Sequence, residues 1–216
     1  MAVRKVTNTV EQEVLTIPEL DLRRLTLRVV GTSPYVSHAW SEKARKMMRD
    51  AQSGAPTQGK KKREGRKPEE EYLASIHLTL DGRPGIPARS FKACAVDAAN
   101  DVGLQKTKMK SAFHVEGDIL PLINFIGPQM REDSVRLESG VASLAYRAMF
   151  PEWQVDLNII YNAGVITAAH LINLFRTAGF GIGVGEGRPK SPKGCGMGWG
   201  MFTIDTNVEF NSEAHN

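Results

Sequence analysis

The chain has 216 residues, 41% hydrophobic and 24% charged, with a formal charge of +4 and 2 cysteines. That is enough sequence for one domain with its own core, and too few cysteines for a disulfide framework. No run of about 18 apolar residues occurs, because the greasiest stretch, Leu157 to Val184, is broken by Asn158, Asn162, His170, Asn173 and Arg176, so a membrane span is not expected.

Residues 1–22 read as an N-terminal extension, and the opening MAVRKVTNTVEQEV has no apolar run of the secretory kind. A reducing, cytoplasmic compartment is therefore the expectation, with Cys94 and Cys195 as buried thiols. One domain is expected over 23–206. Its first strand is Leu25 to Val30, with Leu25, Leu27 and Val29 on one face, ending at Gly31. A turn at Ser33-Pro34 leads to a helix capped by Ser41, with Glu42 in its first turn and Lys43, Arg45, Lys46 and Arg49 further along, the order the helix dipole favours.

Residues 51–71, AQSGAPTQGKKKREGRKPEEE, carry no apolar periodicity and predict a mobile basic insertion. Between Ser41 and Lys67 there are ten basic residues against three acids, a local +7 that leaves the rest of the chain at −3. Gly54 and Gly59-Lys60-Lys61 mimic a phosphate-loop spacing but lack the hydroxyl residue that would ligate magnesium. Tyr72 to Leu80 alternates and predicts a second strand ending in the turn Asp81-Gly82. Ser90 then opens an alanine-rich helix, Phe91 to about Asn100, closed by Gly103. A middle insertion, 103–152, contains two short predicted strands, Ile119 to Ile126 around Pro121 and Val135 to Leu137.

The last third is more regular. Trp153 to Tyr161 alternates with Val155, Leu157 and Ile159 on one face, and Asn162-Ala163-Gly164 turns the chain. Thr167 caps a helix whose stripe is Leu171, Ile172, Leu174 and Phe175, and Gly179 is placed as its C-cap glycine. Nine of the 20 glycines lie between Gly179 and Gly200, beside Arg188, Lys190 and Lys193. A final strand, Gly200 to Ile204, precedes an acidic tail, 207–216. Strand, helix and strand, then an insertion, then strand, helix and strand again predict an α+β fold, a ferredoxin-like or RRM-type βαββαβ core.

Several groups suit a phosphate backbone. The glycine-rich loop lets backbone N–H groups approach a phosphodiester while Arg188, Lys190 and Lys193 neutralise it. Arg89, the Ser90 hydroxyl and Lys92 stand at a helix start, a natural anion position. Tyr35, His38 and Trp40 precede the basic helix and are candidates for stacking on bases. Lys43, Lys46, Lys60, Lys61, Lys62 and Arg63 add charge alone. No metal-ligand spacing, cofactor fingerprint or paired catalytic carboxylates are present, so no metal and no cofactor are expected. His38 is the one candidate general acid or base by location.

The segment Ile86-Pro87-Ala88-Arg89-Ser90-Phe91-Lys92-Ala93, the first strand with its loop and helix, and the glycine-rich loop before Phe202 together resemble the RAMP superfamily of CRISPR proteins. The likeness is to the backbone subunit that coats guide RNA, with departures at Ala88, Arg89 and Ala93. Gly31 to Ala44 and Gly183 to Pro189 are also similar to phage-type proteins. The resemblance implies a ferredoxin-like core, a thumb- or finger-like insertion, single-stranded RNA held by its backbone, and head-to-tail self-assembly with itself or other subunits. It carries over Arg89, Ser90, Lys92 and the Arg188 to Lys193 loop as phosphate contacts. The expected function is a non-catalytic subunit binding single-stranded RNA or DNA. The alternatives are a metal-independent endoribonuclease, with His38 as acid or base and Lys43 steadying the phosphate, and a protein-interaction module that mimics or inhibits such a complex.

Overall fold

The computed structural model describes residues 19–54, 65–136, 140–191, 196–205 and 212–214. Strand β1, Leu22–Gly31, buries Leu25, Leu27 and Val29 as its alternation requires. A short strand, β2, Tyr35–Ser37, follows, and α1, Glu42–Gln52, begins where the Ser41 hydroxyl accepts the Ala44 N–H at 3.2 Å.

The predicted strand Tyr72 to Leu80 is not formed. Its first residues belong to α2, Pro68–Ala74, because Pro68 is preset for a first helical turn and Glu69, Glu70 and Glu71 complement the helix dipole there. Only Leu78 keeps a strand-like contact, an isolated bridge to Pro84. The boundaries of the basic insertion also change. Ala51 and Gln52 close α1, and Arg66 is fixed by Glu71, by the Ser143 hydroxyl and the Leu144 carbonyl, and over the Tyr146 ring at 5.3 Å.

Next come β3, Gly85–Pro87, and α3, Ala88–Ala98, extended by one tighter turn to Val102 and closed by Gly103 at φ 74°. The helix therefore starts earlier than Ser90, which sits inside its first turn and caps nothing. The middle of the chain is richer than its sequence suggests, with α4, Lys106–Ala112, β4, Phe113–Val115, and β5, Ile119–Pro121. Then β6, Gln129–Arg136, and β7, Ala142–Phe150, pair as a long antiparallel hairpin. The remaining elements are β8, Gln154–Asn162, α5, Ala168–Gly181, β9, Phe202–Ile204, and β10, Ser212–Ala214. The acidic tail thus contributes a short strand, which pairs with Arg23 to Leu25.

The architecture is α+β. In the main sheet β1 lies beside β8, β8 beside β4, and the other side of β1 pairs with β9 and β10, every pair antiparallel. A second sheet runs β2–β7–β6, and β3 pairs with β5. Helices α3 and α5 pack together and fill one face of the main sheet, where Phe91 meets Phe202 and Phe113 meets Phe175 edge-on at 5.7 and 5.9 Å. The opposite face is closed by its own charges: Arg28 pairs with Asp156 at 2.8 Å, Arg24 with Glu116 at 3.3 Å, and the Thr26 hydroxyl with Asn158 at 3.0 Å.

Gly179 is not a C-cap. It lies within α5, and a Cβ there would stand 2.0 Å from the Phe202 carbonyl, so its lack of a side chain lets the helix cross β9. The N-cap at Thr167 is formed, its hydroxyl accepting the His170 N–H at 3.2 Å. Thr167→Ala is expected to lower the unfolding free energy by about 1 kcal/mol, read from urea denaturation midpoints. An unchanged midpoint would show that the cap contributes nothing to α5.

Candidate functional site

Three segments converge at one end of α3: the exit of β2, the β3–α3 junction and the glycine-rich loop. They enclose an open cleft of about 340 Å³ whose lining includes His38, His77, Ser90, Glu186 and Arg188. A second hollow of about 320 Å³ adjoins it, sharing Ser90, Gly185 and Arg188 and adding Arg89 and Asp97.

The loop that forms one wall is a tied structure rather than slack chain. Six of its described glycines, at 183, 185, 187, 196, 198 and 200, have left-handed φ. Val184 N–H donates to the Gly200 carbonyl at 2.9 Å, Gly200 N–H to Pro34 at 2.7 Å, Met197 N–H to Gly187 at 2.8 Å and Glu186 N–H to Val36 at 3.0 Å. Gly185 is required on two counts. Its φ is +82°, and a Cβ would stand 2.6 Å from both the Tyr35 ring and the Val36 carbonyl. The hairpin β6–β7 braces the same loop, with Arg131 stacked on Trp199 at 4.1 Å and held by Asp133 at 2.8 Å.

Glu186 ties the loop to β7 and to His38. Arg147 Nε donates to Glu186 Oε2 at 2.6 Å, and His38 Nδ1 lies 3.2 Å from the same oxygen. Arg147 Nη2 reaches the other ring nitrogen, His38 Nε2, at 3.1 Å. Since a guanidinium only donates, this contact is satisfied by the ring tautomer that accepts at Nε2 and donates from Nδ1 to Glu186. Burial alone would raise the Glu186 carboxyl, but the hydrogen bonds from His38 and Arg147, with the Arg147 charge, hold it below the usual carboxylate range.

A depressed carboxyl stabilises the fold above its unfolded pKa of about 4.3 and loses that contribution as pH falls through the lower folded value. Glu186→Gln is accordingly expected to be less stable than the parent chain at neutral pH, with the gap closing as the pH drops below about 4. Denaturation midpoints at several pH values measure this; a constant gap would remove the ionic role of Glu186.

The sequence does not single out His77, since a lone histidine within an alternating segment gives no signal. Its N–H is held by the Ser37 hydroxyl at 3.2 Å. Burial, with the charges of Arg89, His38 and Arg45, outweighs the opposing Asp118 charge and lowers its pKa below the ordinary imidazole value. Arg147 and Glu186 were missed for a different reason: their partners are 39 and 109 residues apart in the chain, a relation only the fold creates.

Of the predicted contacts, His38, Ser90 and Arg188 come together in the cleft, and Arg89 is exposed at its edge. Arg188 donates to the Gly185 carbonyl at 3.2 Å, and Arg89 has no hydrogen bond or ion pair among the described residues. The first-turn N–H groups of Arg89 and Ser90 have no preceding helical carbonyl to bond, as at any helix start.

Other predicted contacts are elsewhere. Tyr35 cannot stack on a base: it is 1% exposed, packed on Phe150 and Trp153 at 6.0 and 5.8 Å, and burial pushes its hydroxyl up to about 12. Trp40, by contrast, is 59% exposed. Lys92 turns away toward β4, where Nζ meets His114 Nδ1 at 2.9 Å, and burial lowers its pKa. Lys190 faces Asp101 at 3.7 Å. Lys46 is exposed on α1, the same helix that carries Lys43. Lys60, Lys61, Lys62, Arg63 and Lys193 lie outside the described residues, as does Cys195.

Cys94 is buried, donates to the Ala178 carbonyl at 3.3 Å, and is pushed by burial up to about 12, which makes it a packing residue. Among the described residues no group of His, Cys, Asp and Glu could hold a metal ion, and no helix is long and apolar enough to cross a membrane. No protein-family model and no curated protein matches the chain.

Proposed function

We propose that the chain is a non-catalytic subunit that holds single-stranded RNA, or single-stranded DNA, by its phosphate backbone. It assembles head to tail with its own copies or with other subunits of a cytoplasmic ribonucleoprotein complex, as a RAMP-type protein or a phage-encoded relative would. One observation carries this reading: Ser90, Arg188 and two imidazoles surround the open first turn of α3, with the unpaired Arg89 beside them. Cations and free N–H groups around an open cleft suit a chain of phosphates better than a small apolar ligand.

The strand order supports the ferredoxin-like core. Taking only the strands connected through α3 and α5, the sheet runs β9–β1–β8–β4, the fourth, first, third and second in sequence. The outer sheet face, where RRM-type proteins stack bases on aromatics, instead presents paired charges from Arg24, Arg28, Glu116 and Asp156. The cleft at the sheet's end is thus the nucleic-acid surface in this reading.

Fluorescence anisotropy with a labelled single-stranded oligonucleotide, repeated across salt concentrations, tests it. Affinity is expected to fall steeply, with a slope of about 0.7 for each phosphate neutralised. A flat salt response would exclude backbone binding and favour the protein-interaction module.

The presence of His77 beside His38 favours a second reading, a metal-independent endoribonuclease, because two imidazoles in one cleft can divide acid and base roles. That reading requires cleavage that stops with a 2′-deoxy residue at the scissile position and with His38→Ala. Intact RNA after prolonged incubation would remove it.

A further inference from the structure

Helix α1 makes few contacts with the other described elements. Among the described residues it shares no extended contact with another element, and Met47 and Met48 are 66% and 40% exposed. Its sequence is nevertheless two-sided. Ala44, Met47, Met48 and Ala51 fall at the spacing that makes one stripe along a helix, and the exposed Trp40 lies just ahead of it. The charged residues take the remaining surface, where Glu42 pairs with Arg45 at 3.3 Å and Arg49 at 3.4 Å. A capped helix with an ordered apolar stripe and no extended partner among the described residues is half of a contact.

We propose that α1 packs antiparallel on α1 of a second copy of this chain, about a two-fold axis passing between Met47 and Met48. The pattern of sizes fits this arrangement. The axis sets Ala44 of each copy against Ala51 of the other, so small residues at both ends let the helices approach while the four methionines fill the middle.

The charges fit as well. Lys43 and Asp50 share one flank of the stripe by helical register, and the two-fold axis brings Lys43 of one copy toward Asp50 of the other, twice. Arg45 and Gln52 share the opposite flank and meet in the same way. A parallel pair would instead set the Lys43 flank against the Arg45 flank, placing like charges together.

Other occupants suit the stripe less well. Phosphates would leave its apolar side unsatisfied, and two alanines and two methionines offer a bilayer little to bury. An 11-residue helix is about 16 Å long, so the pair buries well under the roughly 1,200 Å² of a stable interface, and the dimer is weak and concentration-dependent. The contact closes at two copies, which separates it from head-to-tail growth.

Sedimentation velocity of the full chain without nucleic acid, from about 1 to 200 μM, tests the proposal in the range where weak dimers are read. A shift from monomer to dimer is expected, and Met47→Glu with Met48→Glu should abolish it without moving the thermal midpoint, because both methionines are exposed in the monomer.

Geometry is read by oxidising an equal mixture of Ala44→Cys and Ala51→Cys chains, with the parent chain as background for Cys94 and Cys195. The mixed disulfide should form in preference to either like-with-like product. A chain that stays monomeric throughout, larger species that survive the double substitution, or cross-links in equal amounts would each overturn the proposal. So would a monomer that binds phosphatidylserine vesicles or an oligonucleotide through Met47 and Met48. None of these outcomes bears on the cleft, whose test is the salt dependence of oligonucleotide binding.

Discussion

Replacing Arg89 and Arg188 together by alanine is expected to weaken oligonucleotide binding about a hundredfold and to reduce the salt slope by about 1.4. The first figure follows from two charge-assisted hydrogen bonds at about 1.5 kcal/mol each, with every 1.4 kcal/mol worth about tenfold in affinity. The second follows from two phosphates left unneutralised on a single strand. Both arginines line the hollow beside α3, and neither supports the core: Arg89 is exposed, and among the described residues the Arg188 side chain bonds the Gly185 carbonyl. Arg83, exposed and paired with Asp81 at 2.6 Å, is the matched control. Anisotropy titrations at several salt concentrations measure both quantities. If the double variant and Arg83→Ala bind equally well, the cleft is not the backbone site.

Gly185→Val is expected to destabilise the fold markedly. A side chain at φ +82° is strained by about 1–2 kcal/mol, and steric conflict with a packed neighbour adds a further 1–3 kcal/mol, roughly. The neighbours are poorly able to yield, because the Tyr35 ring is packed by Phe150 and Trp153 and the Val36 carbonyl belongs to β2. Binding should fall with stability, since the displaced loop carries Glu186 and Arg188. Thermal melts give the first effect and anisotropy the second. A variant as stable as the parent would mean that the loop is slack after all.

Local signals were readable wherever one side chain acts on its own neighbourhood. Ser41 and Thr167 cap the helices they precede, Gly103 closes its turn in a left-handed conformation, and the alternation in β1 and β8 places Leu25, Leu27, Leu157 and Ile159 inside. The failures arise where two local rules compete. Tyr72 to Leu80 alternates like a strand, yet the start signal at Pro68 and three glutamates begins a helix that absorbs its first residues. Gly179 looks like a helix end, but the approach of β9 sets its identity.

The site was half legible for a similar reason. Ser90, Arg188 and His38 belong to segments whose composition already suggested anions, so reading them locally was enough. Arg147 lies on a strand that no periodicity announced, and its role comes from facing Glu186 of the glycine-rich loop. Tyr35 was misjudged because an aromatic beside a basic helix has the same sequence appearance whether it stacks outward or fills the core.

The pairing around β1 also limits how copies of the protein can meet. Along one side of that strand, β9 takes Val29 to Gly31 and β10 takes Arg23 to Leu25. The main sheet therefore terminates in β4, β9 and β10, each three residues long. Rims that short offer too few free backbone groups to recruit another chain by strand addition. Any assembly built on this sheet must then be joined by side chains on helices and loops, and substitutions there can tune it without disturbing the backbone ladder inside each copy.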